Sequence, residues 1–401
     1  MARISRILFL LCTTFTILGV VGASVDVGAQ DKKKKKIEKK KDEKKDDKKE
    51  IKKEEKKEEF KPDAPAQEFK FIEKDKASEK EKTFWVFDVA FGADGKTVAA
   101  AYRGHVVKIW DLAAKKESQT LKGPEKVKGL GEFKSVVYAG GKVYVGTGLW
   151  NVQKKAREGE IHVFDAKSGK AAKPLGGHTQ SVEGLALSSD GKFLASASED
   201  NTVLIWDIAG GKTTQTIKGH TDYVTNVAFS ADGKQLVTTS KDKTVRVWDI
   251  AGAKELASFK VEREVETKDA KGKVTKTKEL GREFTDAVFT KDGKSVIAGN
   301  LDGVIKIYDI AAKKETKELK AHEGVWALAL SPDGSKFATG GWDGTIKIWN
   351  AADGKELRTI KAHVGAAPGT GGNVTSLSFS PDGMWLASGG VDGTVKIWSV
   401  K

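Results

Sequence analysis

The stretch "GHTDYVTNVAFSADGKQLVTTSKDKTVRVWD", residues 219–249, decides the fold. Apolar and polar residues alternate through "VTNVAFS", "ADGK" makes a tight turn, a second extended run follows, and a polar turn leads into the run that ends on Trp248-Asp249. Period-2 alternation broken by Asp-Gly turns spells antiparallel hairpins, because glycine supplies the positive φ that such turns need. The same pattern recurs along the chain, ending on "IWD" at Trp110, "VFD" at Phe164, "IWD" at Trp206, "VWD" at Trp248, "IYD" at Tyr308, "IWN" at Trp349 and "IWS" at Trp398. A spacing of about 42 residues marks a repeat array, each unit being one four-stranded sheet.

The last unit, "DGTVKIWSVK" from Asp392, stops one extended segment short of its near-copy "DGTIKIWNAADGKELRTIKAH" from Asp343. A spare alternating segment, "QEFKFIE" at Gln67–Glu73, stands before the first full unit.

The Trp-Asp dipeptide, the Gly-His pairs Gly177-His178 and Gly219-His220 with Ala-His variants at His322 and His363, and the "SPDG" turn together resemble the WD-repeat β-propellers over residues 67–401. The resemblance implies an all-β, seven-bladed propeller whose ring is closed by an N-terminal strand, about 67–73, completing the last blade. A closed ring leaves no long unpaired edge for polymerisation, and a monomer is expected.

His178, Ser196, Asp200 and Trp206 recur as His220, Thr238, Asp242 and Trp248, as His322, Thr339, Asp343 and Trp349, and as His363, Ser388, Asp392 and Trp398. Histidine, hydroxyl and carboxylate are the ingredients of an acyl-transfer triad. An active site is needed once, however, whereas four equivalent sets suit a hydrogen-bond network that ties the turns of a blade to its buried tryptophan, and the resemblance implies such structural tetrads. Three units depart from the pattern. The first has Arg103-Gly104 in place of Asp-Gly, the second carries a long turn at 148–160, and the fifth lacks its histidine behind "VEREVETKDAKGKVTKTKEL", which reads as a protruding charged hairpin. The final unit has an insertion, "VGAAPGTGG", at 364–372.

No catalytic residue, cofactor or metal site is expected. "GKT" occurs at Gly95 and Gly211 without the earlier glycine of a phosphate loop, and no two histidines share one element at metal spacing. A partner would meet the loop-bearing face. Residues flanking an inward apolar residue of each first strand point there, which selects Trp85 and Phe87 beside Val86, Tyr223 beside Val224, and Trp326 beside Val325. Residues at the Asp-Gly turn reach the same rim, adding Tyr102, Arg103 and Trp342. Units six, seven and one become neighbours on closure, so Trp85, Phe87, Tyr102, Trp326 and Trp342 are expected to form one partner-binding patch, with Arg103 and Tyr223 as further partner-binding residues, of the aromatic and arginine type that dominates interface energetics.

The N-terminal regions differ in kind. Residues 1–30 carry Arg3 and Arg6, an apolar run from Ile7 to Val21 and small-residue sites ending at Ala23 and Ala29, the pattern of a cleaved secretory signal peptide. The run is shorter than the roughly 20 residues of a spanning helix, so no membrane span is expected after cleavage, and the protein is read as periplasmic or secreted. Cys12 is the only cysteine, so the mature chain has no disulfide. Residues 31–66 form a linker whose stretch 31–61 holds 17 lysines and 11 acids, too polar to bury a core, and it is expected to be disordered. With a formal net charge of +14 for the whole chain, this arm suits an acidic surface or polymer.

The expected function is a non-catalytic, exported protein-interaction scaffold. The alternatives are a polyanion or envelope-surface binder acting through the lysine arm, and a small-substrate hydrolase working in the propeller channel.

Overall fold

The structure is a computed structural model that describes residues 64–74, 81–123, 132–151, 156–268, 274–365 and 372–400. The expected signal peptide (1–30), the expected linker up to residue 63, part of the long turn (152–155) and most of the last insertion (366–371) lie outside the described residues.

The turns explain why the repeat folds as it does. In "SADGKQ" the Ser230 hydroxyl donates to Asp232 at 2.6 Å, the Asp232 carboxylate accepts the Lys234 amide at 3.0 Å, and Gly233 takes φ 69° while its amide returns to the Ser230 carbonyl at 2.9 Å. Only a residue tolerant of left-handed backbone fits at that position. The same serine or threonine to aspartate bond recurs at Ser188, Thr290, Ser331 and Ser380. Each turn reverses the chain onto itself and fixes the register of its hairpin.

Among the described residues these hairpins assemble into seven four-stranded antiparallel sheets. Blade four is representative, with strands Val224–Phe229, Gln235–Ser240, Thr244–Asp249 and Lys254–Lys260 in spatial order. Its second strand is buried over nearly its whole length, while its fourth, outermost strand alternates with solvent. The first strand of each blade lies beside the first strand of the next, and that of blade seven (Val374–Phe379) lies beside that of blade one (Val86–Phe91). The core sits between blades. Phe259 and Val247 of blade four meet Phe284 and Tyr308 of blade five, and Trp206 of blade three is buried against Tyr144, Ile161 and Val163 of blade two.

The last blade takes its fourth strand from the front of the chain. Gln67–Lys70 pairs antiparallel with Thr394–Ser399, Gln67 opposite Ile397 and Lys70 opposite Thr394. The expected strand to Glu73 ends three residues earlier, because Phe71 turns inward, stacking on Phe84 at 5.0 Å and meeting Tyr102 edge-on at 5.3 Å. Ile72–Lys74 then pairs with Glu81–Thr83 as a separate two-stranded sheet. The charged hairpin before blade five is present as Glu262–Lys268 and Val274–Leu280, anchored where Arg263 Nη1 approaches Asp302 at 3.6 Å.

Candidate partner-binding face

The register of the first strands builds the face. All seven carry a β-bulge at one equivalent position, so that Phe87, Lys134, Glu183, Thr225, Thr285, Trp326 and Thr375 are each left without a partner residue on the second strand. A bulge re-aims the side chain it carries. Thr375 donates to the Val86 carbonyl of blade one at 2.7 Å, and Thr285 to the Val325 carbonyl of blade six at 2.9 Å, so these side chains reach toward the next blade. Trp326 sits at this position and is 41% exposed.

A second ring of positions follows each second strand. The amides of Arg103, Glu199, Lys241, Leu301, Trp342 and Val391 donate to the carbonyls of Trp85, Ser181, Tyr223, Glu283, Gly324 and Asn373, which pins these turns over the first strands. Trp342 is half-buried, its ring 6.0 Å from that of Trp326. Gly324 makes this possible, since a Cβ there would meet the Trp342 ring at 3.0 Å.

Four aromatics of this face, Trp342, Trp85, Phe87 and Tyr223, are each met by a cation. The Arg282 guanidinium lies 4.7 Å from the centre of Trp342 while its Nη1 donates to the Leu301 carbonyl at 3.1 Å. Arg103 lies 5.2 Å from Trp85, Lys134 5.0 Å from Phe87 and Lys241 4.7 Å from Tyr223. Such contacts contribute about 0.5–2 kcal/mol each, more where water is excluded. Glu132 links two of the cations, at 3.5 Å from Arg103 and 2.8 Å from Lys134. Burial alone would pull the Lys134 pKa down, but the carboxylates of Glu183 and Glu132 outweigh it and push the amine above its ordinary value, so Lys134 stays charged.

Tyr102 does not belong to the face. It is fully buried, opposite Val86 and Val106, at the place held by Ser240 in blade four and Gly341 in blade six. The turn of blade one lacks the aspartate, so Gly104 stands where Asp343 stands in blade six, and His105 at φ 61° stands where Gly344 has φ 74°. Arg103, one residue later than Tyr102, is the counterpart of Trp342. The ring and cation contacts of the remaining aromatics fall into separate groups. Trp326, Trp342 and Arg282 group at blades five and six, and Trp85 and Phe87 group with Arg103 and Lys134 at blades one and two. Blade seven contributes Thr375 and Val391 between them, and Tyr223 stands with Lys241 on blade four.

The four histidine sets close as networks. His220 Nδ1 donates to Asp242 at 2.8 Å, its Nε2 is 2.6 Å from the Thr238 hydroxyl, and Trp248 Nε1 donates to that hydroxyl at 2.9 Å. The corresponding distances are 2.8, 2.7 and 2.9 Å for His178, Ser196, Asp200 and Trp206, and 3.0, 2.7 and 2.9 Å for His363, Ser388, Asp392 and Trp398. For His322, Thr339, Asp343 and Trp349 they are 3.1, 2.9 and 2.9 Å. The hydroxyl in each set is shut inside its blade and already accepts from the indole, so it is not poised as a nucleophile. Blade one fills the vacant network with rings instead. Phe69 stacks on Trp110 at 5.0 Å, and the Lys108 amine lies 4.3 Å from the centre of Phe71.

Two carboxylates escaped the sequence reading. Asp88 and Asp286 occupy the position just after the bulge, where other blades have Ser135, Gly184, Asn226, Ala327 and Ser376. Asp88 accepts from the Val136 amide of blade two at 2.7 Å and from the Ser376 hydroxyl of blade seven at 2.5 Å. Asp286 accepts from the Leu328 amide of blade six at 2.8 Å and from Asn226 of blade four. Burial raises both, Asp286 to about 7. Their oxygens are spent on tying neighbouring blades together. The signal was available in sequence, as an acid two residues after Val86 and Phe284. Among the described residues no three metal-ligating side chains converge.

Comparison with protein families matches the chain to WD40, described as WD domain, G-beta repeat, at residues 77–111, 169–207, 211–249, 313–350 and 354–399. Comparison with curated proteins returns no match.

Proposed function

The chain belongs to the WD-repeat family, whose repeats commonly mediate protein–protein interaction, and from that premise we propose that it is a non-catalytic scaffold that holds a protein partner on the bulge-bearing face. The observation that carries this reading is the exposed Trp326 ring against Trp342, with Arg282 stacked on the latter. The blade does not need it. Equivalent positions in other blades hold Thr225 and Thr285, or Lys241 and Leu301, and those blades form the same sheets. Aromatic and arginine side chains that a fold can do without are what an interface uses as anchors. Trp85 with Arg103 and Phe87 with Lys134 form a second anchor across the face.

The proposal places this scaffold outside the cytoplasm after removal of residues 1–30, with the linker of 31–66 as a charged tether that meets acidic surfaces or polymers. Support comes from the charge and hydropathy order of that part of the sequence. The test is affinity capture from the exported fraction with the mature chain and with its Trp326→Ala, Trp342→Ala variant in parallel. A protein retained by the first and lost by the second supports the reading. A set of captured proteins identical for both baits refutes it.

A further inference from the structure

Two histidines stand outside the tetrads, and they meet at one junction. His105 holds the left-handed position of the blade-one turn, and its ring lies edge-on to Phe133 of blade two at 5.4 Å. His162, on the third strand of blade two (Ala156–Asp165), lies 6.0 Å from the same Phe133 and stacks on Phe164 at 6.2 Å. Phe133 is fully buried, and its ring packs with Ala99, Ala101 and Leu121 of blade one. The Nε2 atoms of both histidines are shut off from solvent and neither has a hydrogen-bond partner. Each of the four tetrad histidines, by contrast, has both ring nitrogens engaged.

An imidazole in such a place is tolerable only while neutral. A proton on Nε2 would put a charge into an apolar contact where no acceptor lies within hydrogen-bond distance, which burial strongly disfavours. Acceptors stand just outside. Among the described residues the charged groups near the pair are Glu132, which adjoins Phe133 and already pairs with Arg103 and Lys134, and Glu160, whose Oε2 is 3.7 Å from His162 Nε2. We propose that His105 and His162 form an acid-sensitive latch between blades one and two: neutral, they clasp Phe133; protonated, they turn out toward Glu132 and Glu160 and release it.

The direction follows from the geometry. Burial lowers the pKa of both rings from 6.5, with the charge of Glu132 only partly opposing this at His105 and the charge of His105 adding to it at His162. A histidine held below its unfolded value contributes stability that is complete above about pH 6.5 and is lost as the pH falls through that value toward the folded one. The latch lies beside the Arg103 and Trp85 anchor, so its release would disorder that side of the partner face without touching Trp326.

The molecule supplies its own control substitutions. Gly344 and Gly393 hold the His105 position in blades six and seven, and Leu204 holds the His162 position in blade three. Melting of the mature chain and of the His105→Gly, His162→Leu variant should be compared at about pH 7.5 and about pH 5. The parent should lose about 3–5 °C more than the variant on acidification. Amide exchange over residues 132–139, corrected for its intrinsic pH dependence, should accelerate at the lower pH in the parent alone. His105→Asn, matching Asn201 in blade three, should remove part of the difference and guards against a double variant that folds poorly. Equal acid losses in parent and variants, with unchanged exchange at 132–139, would overturn the latch, and neither readout depends on the partner.

Discussion

Replacing His220 by alanine tests whether the repeated histidine sets hold blades together. The imidazole is almost wholly enclosed and makes two short hydrogen bonds, to Asp242 at 2.8 Å and to Thr238 at 2.6 Å. Its loss leaves the Thr238 hydroxyl hydrogen without its acceptor, although the oxygen keeps the Trp248 indole. Asp242 loses one donor but keeps the Thr221 and Thr244 amides, the Thr244 hydroxyl and Arg246. Stranding one buried hydroxyl costs about 1–3 kcal/mol, and the space left by a buried ring adds about 1 kcal/mol or more. We expect a total loss of about 2–4 kcal/mol by urea denaturation. In a double-mutant cycle with Asp242→Ala the two changes should couple by about 1 kcal/mol or more, because the second removes a partner already lost. A His220→Ala loss under about 0.5 kcal/mol, or strict additivity, would refute the network reading. So would a variant of unchanged stability that loses a hydrolytic activity.

Three further outcomes follow from the geometry. Deleting residues 64–74 exposes the edge of Thr394–Ser399 and removes Phe69 and Phe71 from Trp110 and Tyr102, so the melt should fall by more than about 10 °C; a change of one or two degrees would show that this strand does not secure the last blade. Tyr102→Phe removes a buried hydroxyl that lies close to the Trp110 indole without a well-formed hydrogen bond to it, and denaturation should show it neutral or more stable by up to about 1 kcal/mol, whereas a loss above that would mean the hydroxyl is bonded. Asp286, raised from 3.8 to about 7, contributes stability that is complete below its unfolded value and is lost as the pH rises through about 7, so Asp286→Asn should flatten the stability profile between about pH 4 and about pH 8; an unchanged profile would rule the carboxylate out as its source.

Much of the fold was legible because the signals are local and repeated. The alternation of "VTNVAFS", the Ser-Asp-Gly turns and the histidine-to-tryptophan spacing each lie within one blade, and the fourfold recurrence separated a structural network from an active site. The front strand was legible for the same reason, as an alternating segment with no hairpin of its own. Tyr102 was misplaced by one residue because the first blade has no Asp-Gly between its second and third strands to count from, and only the left-handed φ of His105 restores the frame. The cations over the aromatics were invisible in sequence. Arg282 reaches Trp342 from the preceding blade, and Lys134 reaches Phe87 from the following one, so those pairs exist only once the blades are side by side. The split of the aromatics into separate anchors has the same origin. Asp88 and Asp286 share one register position, but each acid gains its meaning from amides of the next blade.

The measurement that bears most directly on the account is the Kd of a captured partner for the mature chain and for its Trp326→Ala, Trp342→Ala variant, with both melts recorded. A tryptophan pair, Trp326 exposed and Trp342 half-buried, that serves a complex rather than the fold should weaken binding by about 30-fold or more when truncated, about 2 kcal/mol, while the melting temperature moves by no more than about 2 °C. An unchanged Kd would contradict the assignment of this face, and a variant that loses its fold would return both rings to the blade.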